Sequence, residues 1–121
     1  LKVPFDEAVE MVRDGRITIT VDLGEERAFR HAGIGALAER HSWIHPPRRV
    51  EVAVSTDGNN FTFVGKVTPP TDKDGQLEFA VDGDLRGRFV RFTVDVLERI
   101  PDGHAGAGNP PWTFLDEVHI R

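Results

Sequence analysis

A two-residue alternation of apolar and polar side chains is the feature that most constrains how this chain can fold. The segment VEVAVS, residues 50–55, places a valine at every second position. Such a period gives a strand with one face in a core and the other in water. Asp57 and Gly58 follow, and this pair supplies the positive-φ geometry that a hairpin turn needs. The pattern therefore predicts a scaffold of strands, in which the loops carry any function.

The same alternation recurs from Ile17 to the end of the sequence. It predicts seven strands, over residues 17–23, 29–37, 50–56, 61–67, 77–81, 88–97 and 113–120. Asp-Gly pairs at 57–58, 74–75 and 82–83 are predicted to form turns between several of them. Short strands with turns at close intervals indicate an all-β fold, an antiparallel β-sandwich or jelly roll. Within the 88–97 strand, Phe92 is predicted to point into the core.

The first sixteen residues have a different pattern. Four apolar residues there follow the i, i+3, i+4, i+7 spacing of one helix face: Phe5, Ala8, Val9 and Val12. Gly15 can end such a helix. We therefore predict a helical or irregular N-terminal extension or linker over residues 1–16, and one β-sandwich domain over residues 17–121. A chain of 121 residues has room for a single domain.

Composition narrows the function classes. The formal net charge of -5 argues against a nucleic-acid partner, which would favour a basic face. No apolar run approaches the length of a transmembrane segment, and no signal peptide is evident. The absence of cysteine excludes disulfides and thiolate metal sites. Because the sequence starts at Leu1, we interpret it as an excised fragment or a mature domain whose targeting information lies elsewhere.

No convergent catalytic set is visible in the sequence. It contains no nucleophile-elbow serine, HExxH motif or P-loop. Asp116 and Glu117 are adjacent on a predicted strand, so their carboxylates point to opposite faces and cannot act as an acid–base pair. His41 and His45 are four residues apart, but the prolines that follow prevent a helix, which favours loop or rim histidines over a metal pair. We therefore predict that this chain is not itself an enzyme.

Two loops are longer than a hairpin needs, residues 38–49 and 98–112, and each contains a tryptophan. One interpretation is that Trp43 and Trp112 are stacking platforms for a pyranose ring. The polar candidates for its hydroxyl groups are Arg40, His41, His104 and Asn109. The alternative is that each tryptophan plugs an end of the core. The flanking prolines and strand favour the plug for Trp112, and both interpretations stay open for Trp43.

Five segments together resemble a known family. They are VDLG (21–24), RHAGIGAL (30–37), SWIHPPRRVEVAVSTDGNNF (42–61), GRFVRFTV (87–94) and IPDGHAGAGNPPWTFLDEVHI (100–120). The chain resembles the discoidin-like (coagulation factor V/VIII type C) domain from about Ile17 to Arg121. It is most similar to the version at the C-terminus of bacterial chitobiases (β-N-acetylhexosaminidases), through the SWI…PP loop and the final segment.

The resemblance implies an eight-stranded jelly roll whose end loops bind ligands, commonly sugars. Many relatives hold a structural calcium ion near the chain ends, and no other cofactor is implied. Glu117 matches the C-terminal acidic position of that site. Residues 1–16 do not reproduce the family's N-terminal strand and Asp-Gly calcium loop, unless Arg13-Asp14-Gly15 is a remnant. Asp14 and Glu117 are therefore the candidate calcium ligands.

From these observations we predict a non-catalytic accessory carbohydrate-binding module of a secreted glycan-degrading enzyme. Its expected partners are a glycan containing N-acetylhexosamine and the catalytic domain of the same polypeptide. The resemblance implies export, to the periplasm, outer membrane or exterior of a bacterium. The alternatives are a structural module that docks on the catalytic domain and a protein- or cell-surface adhesion module. Exposed tryptophans with polar neighbours favour sugar binding, two buried tryptophans favour docking, and exposed apolar loop tips favour adhesion.

Overall fold

The chain folds into antiparallel strands, which confirms the all-β prediction. A computed structural model describes residues 2–3, 9–13, 15–69 and 73–121, with side chains from Gly15 onward. The strands in these residues are β1 (Lys2–Val3), β2 (Val9–Arg13), β3 (Arg16–Ala38), β4 (Arg49–Ser55), β5 (Thr62–Val67), β6 (Gly75–Asp95) and β7 (Phe114–Ile120). A short 3-10 helix, Arg40–Ser42, follows β3.

Two long strands, β3 and β6, run through both layers of the sandwich. The order of strands is β1-β7-β3-β6-β4-β5, and β2 pairs separately with β3. The first half of β3 pairs with the second half of β6, and the second half of β3 pairs with the first half of β6. A bulge at residues 22–27 of β3 and a second bulge in β6, opposite residues 29–31 of β3, separate the halves. Because bulges bend and twist a strand, one continuous pair of strands can supply both layers.

The bulges also change which side chains face the core. In β3 the buried apolar side chains occupy odd positions from Ile19 to Phe29 and even positions from Ala32 to Ala38. The two-residue period therefore changes phase between Phe29 and Ala32, at the second irregularity in the pairing. The core lies between the layers and includes Phe92 with no exposed surface, as the sequence predicted.

The N-terminal helix prediction is wrong where the structure can test it. Val9–Arg13 is strand β2, which pairs with the start of β3 from Val9 opposite Thr20 to Arg13 opposite Arg16. Val9 and Met11 are two residues apart, as on one face of a strand, and the neighbouring strand supplies hydrogen bonds that a local helical preference does not outweigh. Phe5 and Ala8 lie outside the described residues. The division of the chain at residue 16 stays a prediction.

The predicted turn at Asp82 and Gly83 is also wrong, because both residues lie inside β6. Phe29 is opposite Leu85 whereas His31 is opposite Asp82, so β6 has one extra residue there. The Asp-Gly pair therefore marks a bulge. For this reason the predicted strands 77–81 and 88–97 are one strand, and the predicted strands 17–23 and 29–37 are likewise joined in β3.

The turn at Asp57 and Gly58 is confirmed. Gly58 has φ +80°, and the carboxylate of Asp57 accepts hydrogen bonds from the backbone N–H groups of Asn60 and Asn59, both at 2.8 Å. These bonds hold the pKa of Asp57 well below its usual range. The face of β4 that was predicted to lie in water is partly buried. Ser55 on this face is buried, and its Oγ accepts a hydrogen bond from the N–H of Gly58 at 2.9 Å.

Candidate functional site

Backbone hydrogen bonds join the two long loops to each other. We call residues 39–48 the first loop and residues 96–113 the second loop. The N–H of Trp112 donates to the carbonyl of Trp43 at 2.8 Å, and the N–H of His45 donates to the carbonyl of Trp112 at 3.1 Å. The two predicted tryptophan loops are therefore neighbours, and their backbones are held together without a ligand.

The first loop is closed on itself and pinned to the start of β6. Glu39 and Ile44 exchange two backbone hydrogen bonds, at 2.9 and 3.1 Å. Between them, the 3-10 helix ends at Ser42, and the next residue, Trp43, has φ +67° in the left-handed region. Arg40 is largely buried, and its Nη1 donates to the carbonyl of Lys73 at 2.8 Å and to the carboxylate of Asp74 at 2.5 Å. Arg40 thus anchors the loop instead of standing free for a ligand.

The second loop is held by its own backbone. The N–H of Ile100 donates to the carbonyl of Asn109 at 2.8 Å, and the N–H of Gly108 donates back to the carbonyl of Ile100 at 2.9 Å. The side-chain amide of Asn109 donates to the carbonyl of Gly106 at 3.0 Å. Asn109 is exposed, but one of its two amide hydrogens already serves this internal bond.

The second loop packs directly on the indole of Trp43. Gly106 has φ +78°, and a Cβ atom placed on it would lie 2.5 Å from Nε1 and 2.8 Å from Cδ2 of Trp43. These separations are far shorter than a normal contact, so the backbone approaches the ring as only glycine allows. Trp43 retains 38% of its surface exposed. Part of the indole is therefore covered and part remains accessible.

Trp112 does not plug the core. It is 65% exposed, and Phe114, two residues further along the chain, is 50% exposed. The core-plug interpretation favoured for Trp112 is therefore wrong, because the bridge to Ile44 places its backbone over the first loop and outside the sandwich. Together with Trp43, these residues leave three large aromatic side chains accessible on and beside the two loops.

The sequence indicates a loop or rim position for His45 and does not mark it as a candidate site residue. His45 is only 3% exposed, so it is not a rim histidine, and its ring makes an edge contact with His104 at a centroid distance of 5.5 Å. Burial, followed by electrostatic repulsion from His104 and Arg40, lowers the pKa of His45. Its buried Nε2 has no hydrogen-bond partner within the described part of the chain. Such an atom needs a water molecule or a ligand hydroxyl.

The remaining polar candidates are spread around these groups. His41 lies on the 3-10 helix with 77% of its side chain exposed, and its Nε2 is 3.8 Å from a carboxylate oxygen of Glu39. His104 is half-buried against His45. His104 therefore lies at the joined loops, and His41 is accessible at their edge. Arg40 is bound to Lys73 and Asp74 instead. The single clue to His45 in the sequence is its place before two prolines, both of which are buried.

A row of imidazoles and carboxylates crosses β3, β6 and β7 on the face turned away from the core. Glu78 bridges the two histidines, with its oxygens 3.1 Å from Nε2 of His31 and 2.7 Å from Nδ1 of His119. The other nitrogen of His31 is 2.7 Å from Asp82, and that of His119 is 3.1 Å from Glu117. The hydrogen bonds to Glu78 and then Glu117 raise the pKa of His119.

The calcium prediction is not tested by this arrangement. Glu117 faces His119 in the row just described, and Asp14 lies outside the described residues. Within residues 15–69 and 73–121, no group of three or more histidines and carboxylates is arranged to hold a metal ion. Glu117 and Asp14 remain predicted ligands. In the described residues, no helix has the length and apolar character needed to cross a membrane.

Comparison with known families agrees with the fold. The family model of the F5/8 type C domain matches residues 11–106. The chain belongs to the F5/8 type C, or discoidin-like, family. The resemblance seen in the sequence is thereby confirmed. No curated protein matches the sequence significantly.

Solved structures of similar fold include bacterial glycan-related domains. A putative chitobiase fragment from Bacteroides thetaiotaomicron is 18% identical, with 85% of this chain and 64% of that chain covered and a TM-score of 0.53. The C-terminal domain of a chitobiase from Bacteroides fragilis is 22% identical, covering 90% and 67%, with a TM-score of 0.50. The CBM32 of AlyQ in complex with 4,5-unsaturated mannuronic acid is 14% identical, covering 96% and 93%, with a TM-score of 0.50. At these identities the likeness concerns the fold alone.

Proposed function

We propose that this discoidin-like domain is a non-catalytic carbohydrate-binding module whose two joined loops bind a glycan. The observation that carries the proposal is the exposure of Trp112, Phe114 and Trp43 beside loops whose backbones are already fixed. The apolar face of a pyranose ring packs well on an aromatic side chain. Exposed apolar side chains that lie near one another are typical of an interaction surface.

Polar groups near the aromatic side chains suit the hydroxyl groups of a sugar. His104 and His41 present imidazole nitrogens, and Asn109 retains one amide hydrogen and its carbonyl oxygen. The buried Nε2 of His45 still lacks a partner in the described residues. Since a lowered pKa keeps His45 neutral near pH 7, that nitrogen can either donate or accept, according to its tautomer. Few polar groups beside aromatic surfaces are typical of small-ligand sites.

Two buried tryptophans would favour the docking alternative, and the exposure of Trp112 counts against it. Similar folds in two chitobiase fragments and in a CBM32 bound to an unsaturated uronic acid support the glycan ligand. We further propose that the glycan contains N-acetylhexosamine and that the parent polypeptide carries a glycan-degrading catalytic domain. Such a protein would act outside the bacterial cytoplasm, where polymeric glycans are found.

Titration of the isolated domain with N-acetylglucosamine oligomers tests the proposal. The site is open and small, so we expect a Kd of about 0.1–1 mM, equivalent to roughly -4 to -5.5 kcal/mol. Trp112→Ala should abolish detectable binding with little change in thermal midpoint, because its side chain is mostly in solvent. Phe63→Ala is the matched control, since Phe63 is 59% exposed but lies on β5, outside both loops.

Two results would contradict the proposal. If Trp112→Ala binds as the wild type does, the aromatic side chains on the loops are not the platform. If no member of a broad glycan array binds the wild-type domain, the glycan-binding function itself is wrong. Binding that Phe63→Ala removes and Trp112→Ala spares would move the site to the opposite edge of the sheet.

A further inference from the structure

An arginine-lined cleft of about 460 Å³ opens where β3 and β4 begin and β6 ends. Its walls include Arg16, Arg48 and Arg49, together with the carboxylates of Asp95 and Glu98. Three guanidinium groups face these two carboxylates, and a third carboxylate, that of Glu51, lies 3.4 Å from Nε of Arg49. The formal charges therefore balance, and the attraction for an anion rests on which guanidinium groups keep free N–H donors.

Asp95 fixes two of the three arginines. It accepts a hydrogen bond from Nε of Arg16 at 2.8 Å, and bonds from Nε and Nη2 of Arg49 at 3.0 and 2.7 Å. Each guanidinium carries five N–H donors, so both retain hydrogen atoms for another acceptor. Asp95 therefore holds two guanidinium groups in place without using all of their N–H donors. This arrangement preorganises the cleft for a planar or tetrahedral oxyanion.

Arg48 is the charge that Asp95 does not neutralise. Its backbone N–H donates to the carbonyl of Asp95 at 2.7 Å, and the buried Pro46 and Pro47 precede it, so its Cα is firmly placed. Its side chain is exposed and makes no hydrogen bond or ion pair within the part of the chain that the structure describes. A fixed backbone that presents an unpaired guanidinium to a cleft is suited to binding an anion.

We infer that this cleft binds the anionic group of an acidic glycan, either the carboxylate of a uronic acid or a sulfate ester. The choice of a glycan rests on the proposed function, and the choice of an anion rests on the three arginines. The cleft adjoins both loops along the chain, because Arg48 ends the first loop and Glu98 lies at the start of the second. Arg48 supplies the free charge, and Arg16 and Arg49 supply the fixed donors.

The test compares three oligosaccharides of matched length by calorimetric titration. They are a neutral N-acetylglucosamine oligomer, a hyaluronan oligomer with a carboxylate on alternate residues, and a sulfated chondroitin oligomer. At about 50 mM salt we expect an acidic oligomer to bind about tenfold more tightly than the neutral one, and the difference to shrink at about 500 mM salt. The hyaluronan and chondroitin arms show whether carboxylate or sulfate is preferred.

Arg48→Gln should remove most of the advantage of the acidic oligomer, measured as the ratio of acidic to neutral affinity because Arg48 lies at the end of the first loop. Arg86→Gln is the matched control, since exposed Arg86 pairs with Glu26 and lies outside the cleft. Equal affinities for neutral and acidic oligomers would overturn the inference while the proposed function stands. Equal losses of neutral and acidic binding in Arg48→Gln would also overturn it, because the cleft would then not recognise charge. If none of the oligosaccharides binds the wild-type domain, both the proposed function and this inference are wrong.

Discussion

The contact between Gly106 and Trp43 allows a sharp test of how the two loops are packed. In Gly106→Ala, the new methyl group would lie 2.5 Å from Nε1 of Trp43 and 2.8 Å from Cδ2. Gly108 provides the matched control, because its φ of +87° is similar but a Cβ there would meet no atom within 4 Å. The two alanine variants share the backbone strain, and Gly106→Ala alone adds the collision with the indole.

The expected free energies follow from these two contributions. A left-handed backbone costs an alanine roughly 1–2 kcal/mol, so Gly108→Ala should lower the free energy of unfolding by about that amount. Inserting a methyl group into a tight contact adds about 1–3 kcal/mol. Gly106→Ala should therefore cost roughly 2–5 kcal/mol in total. A domain with a stability of about 5–15 kcal/mol still folds after such a loss.

Denaturant unfolding of both variants measures the difference. Tryptophan emission adds a local measurement, with Trp112→Phe as the common background so that Trp43 alone reports. We expect the Trp43 emission to shift to longer wavelength in Gly106→Ala, as the displaced indole gains water, and to stay unchanged in Gly108→Ala. If the two variants unfold within about 0.5 kcal/mol of each other and their emission spectra agree, the loop does not cover the indole.

Two further predictions concern the scaffold. Phe92→Ala should lower the free energy of unfolding by about 3–5 kcal/mol, because Phe92 is fully buried between the layers, and a change within about 0.5 kcal/mol in denaturant unfolding would contradict the assigned strand face. Hydrogen bonds to Glu78 and Glu117 raise the pKa of His119 above its unfolded value of 6.5, so the stability that they contribute is fully present below about pH 6.5 and is lost as pH rises through the folded pKa. The destabilisation caused by His119→Gln, measured as a urea midpoint, should therefore be larger at about pH 5.5 than at about pH 8.5, and equal values at both would show that the imidazolium is not involved.

The core of the fold could be predicted from the sequence because burial follows a local period. The valines of β4, and Val90, Phe92 and Val94 of β6, are buried as the alternation indicates. The continuity of β3 and β6 could not be predicted. Gly24 and the Asp82-Gly83 pair lie within these strands, but such residues are equally typical of turns. Whether such residues make a turn or a bulge depends on how neighbouring strands pair, which is a long-range property.

The two long tryptophan loops could be recognised from the sequence, but the exposure of Trp112 and the ion pairs around the loops could not. Arg40 was expected to face a ligand, but its partner Asp74 is 34 residues away in sequence, and no local pattern reveals that ion pair. The same limitation applies to Arg49, whose partner Asp95 is 46 residues away. Ion pairs formed across strands depend on register, which the sequence alone leaves open.

The two loops combine a fixed backbone with a small exposed contact surface, and this combination has a consequence for affinity. Because Trp112 bonds to both Trp43 and His45 through the backbone, little conformational freedom remains to be lost when a ligand binds. A preformed site of this kind binds weakly only because its contact area is small, so its affinity should change little on mutations that further stiffen the loops. Tethering such a module to a catalytic domain raises the effective concentration of that domain at the glycan, and a millimolar site is then sufficient. A second anchoring point in the arginine-lined cleft would act in the same way on a single acidic chain, by adding contacts without requiring either loop to move.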